Sequence, residues 1–139
     1  MKDYVGLGMG KYISYRLFNA KKYAYVCSPY IDQYYADAIL DLAEKGVLVK
    51  IIASDKQAGG FSLVDYFEDN YEGGEDNFDC ITLDGDGFVH SKMYVVDDNY
   101  AVDGSANLTY NGLWNQVNNV HVYETLSEVQ NVKRTFEKI

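Results

Sequence analysis

The chain of 139 residues is 47% apolar and 24% charged, and its net charge is −9. This balance is typical of a globular protein, and the length predicts a single domain spanning residues 1–139. No apolar run reaches the roughly 18 residues that a transmembrane helix needs, and no signal peptide is recognised, so we expect a cytoplasmic protein without membrane insertion.

The hydrophobic pattern predicts helices that alternate with strands along the chain. The predicted helices cover 11–20, 32–45 and 61–69, a helical turn covers 107–113, and a last helix starts at 125. The predicted strands cover 23–28, 47–53, 79–83, 89–96, 100–102 and 117–123.

Two local patterns predict how these elements connect. Gly46 ends the second helix, and the β-branched run Val47–Ala53 follows at once. Strand, helix and strand then form a βαβ unit with a parallel strand pair and a right-handed crossover. Asp98 and Asn99 make a tight turn between two later strands, which predicts a hairpin. The fold class is therefore α/β, a sandwich with a mixed central sheet flanked by helices.

The negative charge of the chain has a local origin. Residues 57–91 contain nine acidic side chains and no Lys or Arg, whereas the rest of the chain holds twelve acidic and twelve basic residues. An acidic segment repels polyanions in its neighbourhood. This segment argues against a nucleic-acid partner close to it.

The candidate chemistry lies around the predicted strand 89–96. Side chains alternate along a strand, so His90 and Lys92 point to the same side and together can attack and hold an anion. The ammonium of Lys92 disfavours a charged neighbour and keeps His90 neutral and nucleophilic. Further along, Ser105 and Asn107 offer a hydroxyl and an amide to phosphate oxygens, while Gly104 lets the backbone come close.

The complete pattern is far more specific than the His–Lys pair. His90-x-Lys92, then Asp97, then Gly104-Ser105-x-Asn107 fits HxK(x)4D(x)6GSxN at every defined position. In this stretch, residues 90–107, the chain resembles the phospholipase D superfamily, and above all its small members with one such motif per subunit. The rest of the chain agrees more loosely, through the strand, the helix ending in Gly-Val and the second strand that precede the motif.

The resemblance implies a mechanism and a partner. Two motifs meet across a twofold axis, so a chain with one motif works as a homodimer with the active site at the interface. His90 of one subunit attacks phosphorus and becomes a phosphohistidine, and His90 of the other protonates the leaving oxygen. Lys92 and Asn107 hold the phosphoryl oxygens, Ser105 assists, and Asp97 braces the turn. The resemblance implies no metal and no other cofactor.

One position departs from the family pattern. Close relatives place a Glu eleven residues after the motif Asn, where it orients the nucleophilic His; this chain has Asn118 there. An Asn carbonyl can accept the imidazole N–H but cannot stabilise an imidazolium as a carboxylate does. We expect Asn118 to take this position, with Glu124 as the alternative, and activity can be reduced or lost.

Other marked residues are interpreted without catalysis. His121 is a packing or solvent-facing residue, and 84–87 (DGDG) is a turn, since it lacks the ligand spacing of a calcium loop. Cys27 and Cys80 lie in apolar runs and are expected to be free thiols. The 14 tyrosines are explained by core edges and an interface, with a base-stacking platform as the alternative.

Three functions follow from the sequence. The first is a phosphodiesterase that acts as a metal-independent endonuclease on DNA or RNA, because the single-motif relatives are mostly nucleases. The second is a hydrolase or transferase of phospholipids or small phosphodiesters. The third is a catalytically silent module that binds phosphate or nucleic acid.

Overall fold

Seven strands form one mixed sheet in the computed structural model, which describes residues 1–74, 76–83 and 92–139. The strands are β1 (Lys2–Gly6), β2 (Tyr23–Cys27), β3 (Leu48–Ala53), β4 (Phe78–Thr82), β5 (Lys92–Val96), β6 (Tyr100–Gly104) and β7 (Asn118–Tyr123). Their spatial order is β1-β7-β6-β5-β2-β3-β4, which leaves β1 and β4 at the edges. The predicted α/β class with a mixed sheet is confirmed.

Four α-helices accompany the sheet. They are α1 (Ser14–Leu17), α2 (Gln33–Glu44), α3 (Leu63–Asn70) and α4 (Leu126–Glu137). The described residues also form two 3-10 turns (Met9–Tyr12, Ala58–Gly60) and one π-helical turn (Asn111–Asn115). Within the described ranges, none of these helices has the length and apolar character to cross a bilayer.

Parallel and antiparallel pairing occupy separate halves of the sheet. The pairs β2–β3 and β3–β4 are parallel, whereas β1–β7, β7–β6, β6–β5 and β5–β2 are antiparallel. A parallel pair needs a long crossover, which α2 provides between β2 and β3 and α3 provides between β3 and β4. The predicted βαβ unit and the predicted β5–β6 hairpin are both confirmed.

The helices bury both faces of the sheet. On one face, α2 and α3 contribute Ile39 and Phe67 to a core that contains Val49 and Ile51 of β3. On the other face, α4 packs its apolar stripe against β2, β5 and β6; the stripe consists of Val129, Val132 and Phe136. Tyr123 of β7 is partly buried against the same cluster.

The structure differs from the sequence prediction mainly at the amino-terminal end. The strand β1 was not predicted, and it forms only because its residues pair with β7, for example Lys2 with Val122. The helix predicted over 11–20 is reduced to the 3-10 turn and the single turn α1. The predicted turn 84–87 and the first residues of the strand predicted over 89–96 lie outside the described residues.

Asp97 joins the hairpin to the start of β2. Its backbone adopts the left-handed conformation (φ 53°) in the turn between β5 and β6. Its carboxylate accepts backbone N–H bonds from Lys21, Lys22 and Tyr23 at 3.1, 2.7 and 3.1 Å. One side chain therefore ties the β5–β6 turn to the chain segment that enters the parallel half of the sheet.

We expect Asp97→Ala to lower the free energy of unfolding by about 2–3 kcal/mol, because three N–H groups lose their acceptor and Ala is strained in the left-handed region. Asp97→Asn should cost less, since Asn keeps one acceptor oxygen and tolerates that conformation. Urea denaturation measures both. Asp69→Ala, an exposed change of the same charge on α3, is the control, and an equal loss in this control would refute the role of Asp97.

Candidate active site

Strand register brings the motif residues to one end of the sheet. Lys92 is the first residue of β5 and pairs with Gly104, the last residue of β6, which in turn pairs with Val120 near the start of β7. Cys27, the last residue of β2, pairs with Met93. The beginning of β5, the ends of β2 and β6 and the beginning of β7 therefore meet at the same edge of the molecule.

His90 lies outside the described residues, so its position beside Lys92 stays a prediction. Lys92 itself is half-buried. Burial raises the pKa of the Cys27 thiol to about 11, and the positive charge of Lys92 opposes that rise. The ammonium of Lys92 thus acts on the end of β2, at the edge where the motif residues meet.

Ser105 and Asn118 form a polar network between the end of β6 and the start of β7. The hydroxyl of Ser105 donates to Oδ1 of Asn118 at 2.9 Å and accepts from the backbone N–H of Asn119 at 2.9 Å. Nδ2 of Asn118 donates to the carbonyl of Gly112 at 2.7 Å. The amide of Asn118 is thereby fixed, with its oxygen towards Ser105 and its nitrogen towards the π-helical turn.

Asn107 is held by a buried serine that the sequence analysis did not single out. Ser28 follows β2 and is fully buried. Its hydroxyl accepts the N–H of Leu108 at 3.0 Å, donates to the carbonyl of Tyr30 at 2.8 Å, and lies 3.3 Å from Oδ1 of Asn107. Because the amide oxygen of Asn107 faces Ser28, its NH₂ group points away from Ser28. In the sequence, Ser28 followed by Pro29 indicated only where the predicted strand 23–28 ends.

An open groove of about 480 Å³ runs along this edge of the sheet. Its lining residues are Lys92, Asp103, Gly104, Ser105, Asn119, His121 and Tyr123. The groove therefore combines the cation of Lys92 and the motif hydroxyl of Ser105 with the carboxylate of Asp103 on β6 and the polar side chains of β7. It contains Lys92 and Ser105, two of the four residues predicted to be catalytic.

His121 lies in this groove, where the sequence analysis expected a packing or solvent-facing residue. The imidazole Nδ1 contacts the carboxylate of Asp3 on β1, and Asp103 of β6 is its cross-strand partner on the other side. Burial raises the pKa of Asp103, while the Tyr123 hydroxyl and His121 oppose that rise. The alternation of Asn119 and His121 along β7 was the sequence signal that both face the groove.

Gly104 serves the packing of two strands. Its φ is 149°, and a Cβ at this position would lie 2.2 Å from the carbonyl oxygen of Asn119. Gly104 also lines the open groove, and the expectation that it gives a ligand access to the backbone stays a prediction.

Glu124 lies at the wrong end of β7 to replace the missing carboxylate. It follows Tyr123 and pairs with Arg16 at 3.6 Å. With about 3.3 Å per residue along a strand, roughly 20 Å separates it from Asn118. The alternative role expected for Glu124 is therefore wrong. Arg16 and the Asp97-bound segment at Lys21 share this end of the sheet with Glu124.

The described part of the acidic segment lies away from the groove. Asp65, Glu68 and Asp69 are on α3, and Asp79 is on β4. The edge strand β4 is four positions from β6, which at about 4.8 Å per strand is roughly 19 Å. That distance exceeds the Debye length of about 8 Å at physiological salt, so repulsion from these carboxylates at the groove is weak.

The structure describes possible metal ligands and the two cysteines in the ranges 1–74, 76–83 and 92–139. No group of three or more His, Cys, Asp or Glu residues within these ranges has an arrangement that could hold a metal ion. Cys27 and Cys80 are free thiols, as expected.

We expect Asn118→Asp to lower the free energy of unfolding by about 1–3 kcal/mol at neutral pH, because a carboxylate oxygen then faces the Gly112 carbonyl. The loss should shrink as the pH falls below the pKa of the new carboxyl, since its protonated form donates to that carbonyl again. Thermal unfolding between pH 3 and 8 (about 3.9 being the ordinary Asp pKa) measures the effect. Asn119→Asp, one residue away and facing the groove, is the charge-matched control, and equal pH profiles for both variants would contradict the prediction.

Comparison with known proteins identifies a family over most of the chain. A family model described as "Cardiolipin synthase, PLD-like domain" matches residues 13–139. An uncharacterized protein from Streptococcus mutans is 33% identical over 117 residues, which are 81% of this chain and 24% of that protein. Cardiolipin synthase 1 of Staphylococcus epidermidis is 29% identical over 125 residues, 88% of this chain and 25% of its own length. The chain thus spans about a quarter of the length of the curated relatives it matches.

Solved structures share the fold at low sequence identity. NucT from Helicobacter pylori superposes with a TM-score of 0.72 at 19% identity, covering 99% of this chain and 94% of that chain. Nuc, a phospholipase D family member from Salmonella typhimurium, gives a TM-score of 0.72 at 16% identity, covering 99% and 93%. These two chains match over nearly their whole length.

Proposed function

Since this chain belongs to the phospholipase D-like domain family, we propose that it is a metal-independent endonuclease that cleaves DNA or RNA as a homodimer through a phosphohistidine. The observation that carries the proposal is the meeting of Lys92, Ser105 and Asn107 at one end of the sheet, with Lys92 two residues after His90 in the sequence. The proposal rests on phosphodiesterase activity, which membership of this superfamily supports.

The proposed reaction has two displacements at phosphorus. A nitrogen of His90 forms a bond to phosphorus while the bond to the leaving oxygen breaks, and His90 of the second subunit gives that oxygen a proton. The second His90 then removes a proton from water, whose oxygen attacks phosphorus and releases the first histidine. Negative charge grows on the non-bridging oxygens in both steps, and the ammonium of Lys92 and the NH₂ group of Asn107 stabilise it.

The hydrogen bonds of the site support a rigid arrangement of these donors. Ser28 holds the amide oxygen of Asn107, so its N–H groups need no reorientation when the phosphate arrives. Ser105 is held between Asn118 and Asn119. Donors fixed in advance stabilise a transition state without a further reorganisation cost.

Asn118 lowers the expected rate. Its carbonyl oxygen already accepts the Ser105 hydroxyl, and it carries no charge to stabilise an imidazolium. We therefore propose a slow nuclease, in which Asn118 positions Ser105 more than it activates His90.

The proposed chemistry uses two imidazoles, and residues 1–139 hold one motif, so we propose that a second copy of the chain supplies the other imidazole. An apolar surface beside the groove supports this partner. Val5 on β1 is 73% exposed, Leu7 just after β1 is 61% exposed, and Val117 just before β7 is 69% exposed. Val5 is the register partner of Asn119, which lines the groove. A second subunit placed here would bury apolar surface and bring its own motif to the groove.

A lipid-type activity is the second candidate. The identity of 29% with part of Cardiolipin synthase 1 favours a hydrolase or transferase of phospholipids or small phosphodiesters. The match to the Nuc and NucT chains over nearly their whole length favours the proposed nuclease instead. A silent phosphate-binding module is the third candidate, and the neutral Asn118 is the observation in its favour.

We expect the protein to cut plasmid and single-stranded DNA or RNA in the presence of EDTA, because cationic and amide donors take the place of a metal. His90→Ala should abolish cleavage, and Lys92→Ala and Asn107→Ala should each reduce it by about 10²–10³-fold. Gel assays over several hours measure the rates.

The control is Lys50→Ala, which removes a cation from β3 without touching the groove. Release of headgroup from phospholipid vesicles with nucleic acid left intact would favour the lipid candidate. Equal cleavage by the wild type and His90→Ala would refute the enzyme proposal.

We expect Val117→Asp to weaken the dimer, because a buried apolar contact would become an unpaired charge. Its specific activity should fall at low protein concentration and recover as the concentration rises. Sedimentation and activity measured over the same dilution series give both quantities. Leu126→Asp, 63% exposed at the start of α4, is the matched control. A wild-type monomer with full activity per chain would contradict the homodimer.

A further inference from the structure

Three exposed tyrosines surround the segment that holds Asn107. Tyr30, Tyr34 and Tyr110 are 52%, 69% and 56% exposed, and we refer to them as the tyrosine cluster. We propose that the tyrosine cluster binds the unpaired bases of a single-stranded nucleic acid whose backbone lies at the phosphate site. The inference rests on the proposed nuclease function and names the form of its substrate.

Asp32 fixes the backbone on both sides of the cluster. Its carboxylate caps α2 by accepting the N–H of Tyr35 at 3.0 Å, and its second oxygen accepts the N–H of Tyr110 at 2.6 Å. Tyr35 is buried, its ring meets that of Tyr34 edge-on at 5.0 Å, and its hydroxyl accepts the indole N–H of Trp114. The rings of the cluster therefore project into solvent from a rigid base.

The cluster is joined directly to the phosphate site. The Ser28 hydroxyl that lies 3.3 Å from Asn107 also binds the carbonyl of Tyr30 at 2.8 Å. The next residue, Ile31, bridges to Leu108, and Tyr110 is two residues further along the chain. A strand whose phosphate contacts Asn107 would thus pass Tyr30 or Tyr110 next.

The chemistry of the cluster fits bases rather than a charged ligand. An exposed aromatic ring stacks on any base, and each such contact strengthens binding by roughly tenfold or more. The charge of Asp32 is directed at two backbone N–H groups, which weakens its repulsion of a nearby phosphate. The exposed Lys56 adds a cation near the tyrosine cluster. Its neighbour Gln57 accepts the N–H of Ile31, the residue after Tyr30, at 2.8 Å.

The surroundings favour a single strand over a duplex. The acidic helix α3 packs beside α2, where Tyr66 contacts Asp37. A wide duplex over the cluster would approach these carboxylates, and its paired bases would be stacked on each other and closed to the rings. One flexible strand can reach the rings and keep its phosphates on the side of Asn107.

The test measures binding to three probes of equal length: a single-stranded oligonucleotide, the same strand with abasic sugars, and its duplex. His90→Ala serves as the background so that no probe is cut, and fluorescence anisotropy gives the affinities. We expect the intact single strand to bind at least tenfold more tightly than the abasic strand. Tyr110→Ala and the pair Tyr30→Ala with Tyr34→Ala should remove most of that difference and leave abasic binding unchanged.

Matched variants separate stacking from folding. Tyr110→Phe keeps the ring and should bind like the parent, and Tyr15→Ala, 71% exposed on α1, should have no effect. Equal preference for the intact strand with and without the rings would overturn the inference. Loss of the dimer in Tyr110→Ala would also overturn it, because the cluster would then be a subunit contact. If the wild type cuts nucleic acid but the rings do not affect binding, the inference is wrong and the proposed function stands. If the wild type neither cuts nor binds any of the probes, the proposed function itself is wrong.

Discussion

The arrangement of the site depends on one buried hydroxyl. Ser28 directly follows β2, the strand at which the parallel and antiparallel halves of the sheet join, and it is closed to solvent. Since a buried hydroxyl without partners would cost about 1–3 kcal/mol, its bonds to Leu108, Tyr30 and Asn107 set where the segment after β6 must run. The Asn107 amide, which we propose to bind phosphate, and the exposed Tyr30 are both positioned by contacts with Ser28.

Different polar contacts join the strands at the two ends of the sheet. At one end, the Asp97 carboxylate ties the hairpin to β2, and Arg16 pairs with Glu124. At the other end, Ser105 and Asn118 clamp β6 to β7 beside an open groove.

Local sequence patterns predicted the parts of the fold that local interactions decide. The α2 helix with its Gly46 end, the crossover to β3 and the β5–β6 hairpin follow from periodicity and turn residues. The strand β1 could not be predicted this way, because it is a short edge strand that owes its form to pairing with β7 over a hundred residues away.

The site shows the same division between local and distant contacts. Motif spacing identified Lys92, Ser105 and Asn107, which share one edge because the hairpin register is local. Ser28 and His121 reach that edge only through β2–β5 and β6–β7 pairing, which spacing does not reveal. The choice between Asn118 and Glu124 likewise required the length and direction of β7.

If His90 attacks phosphorus, a nucleotide is bonded to its imidazole through phosphorus during turnover, and this covalent adduct can be trapped. The protein is mixed with a short oligonucleotide, stopped in alkali during turnover, digested and examined by mass spectrometry. We expect a phosphoryl-linked nucleotide on the peptide that contains His90. The adduct should also form in the Asn118→Ala variant and should be absent from the His90→Ala variant. Cleavage of the oligonucleotide with no adduct at any stage, or an adduct on a different residue, would contradict attack by His90.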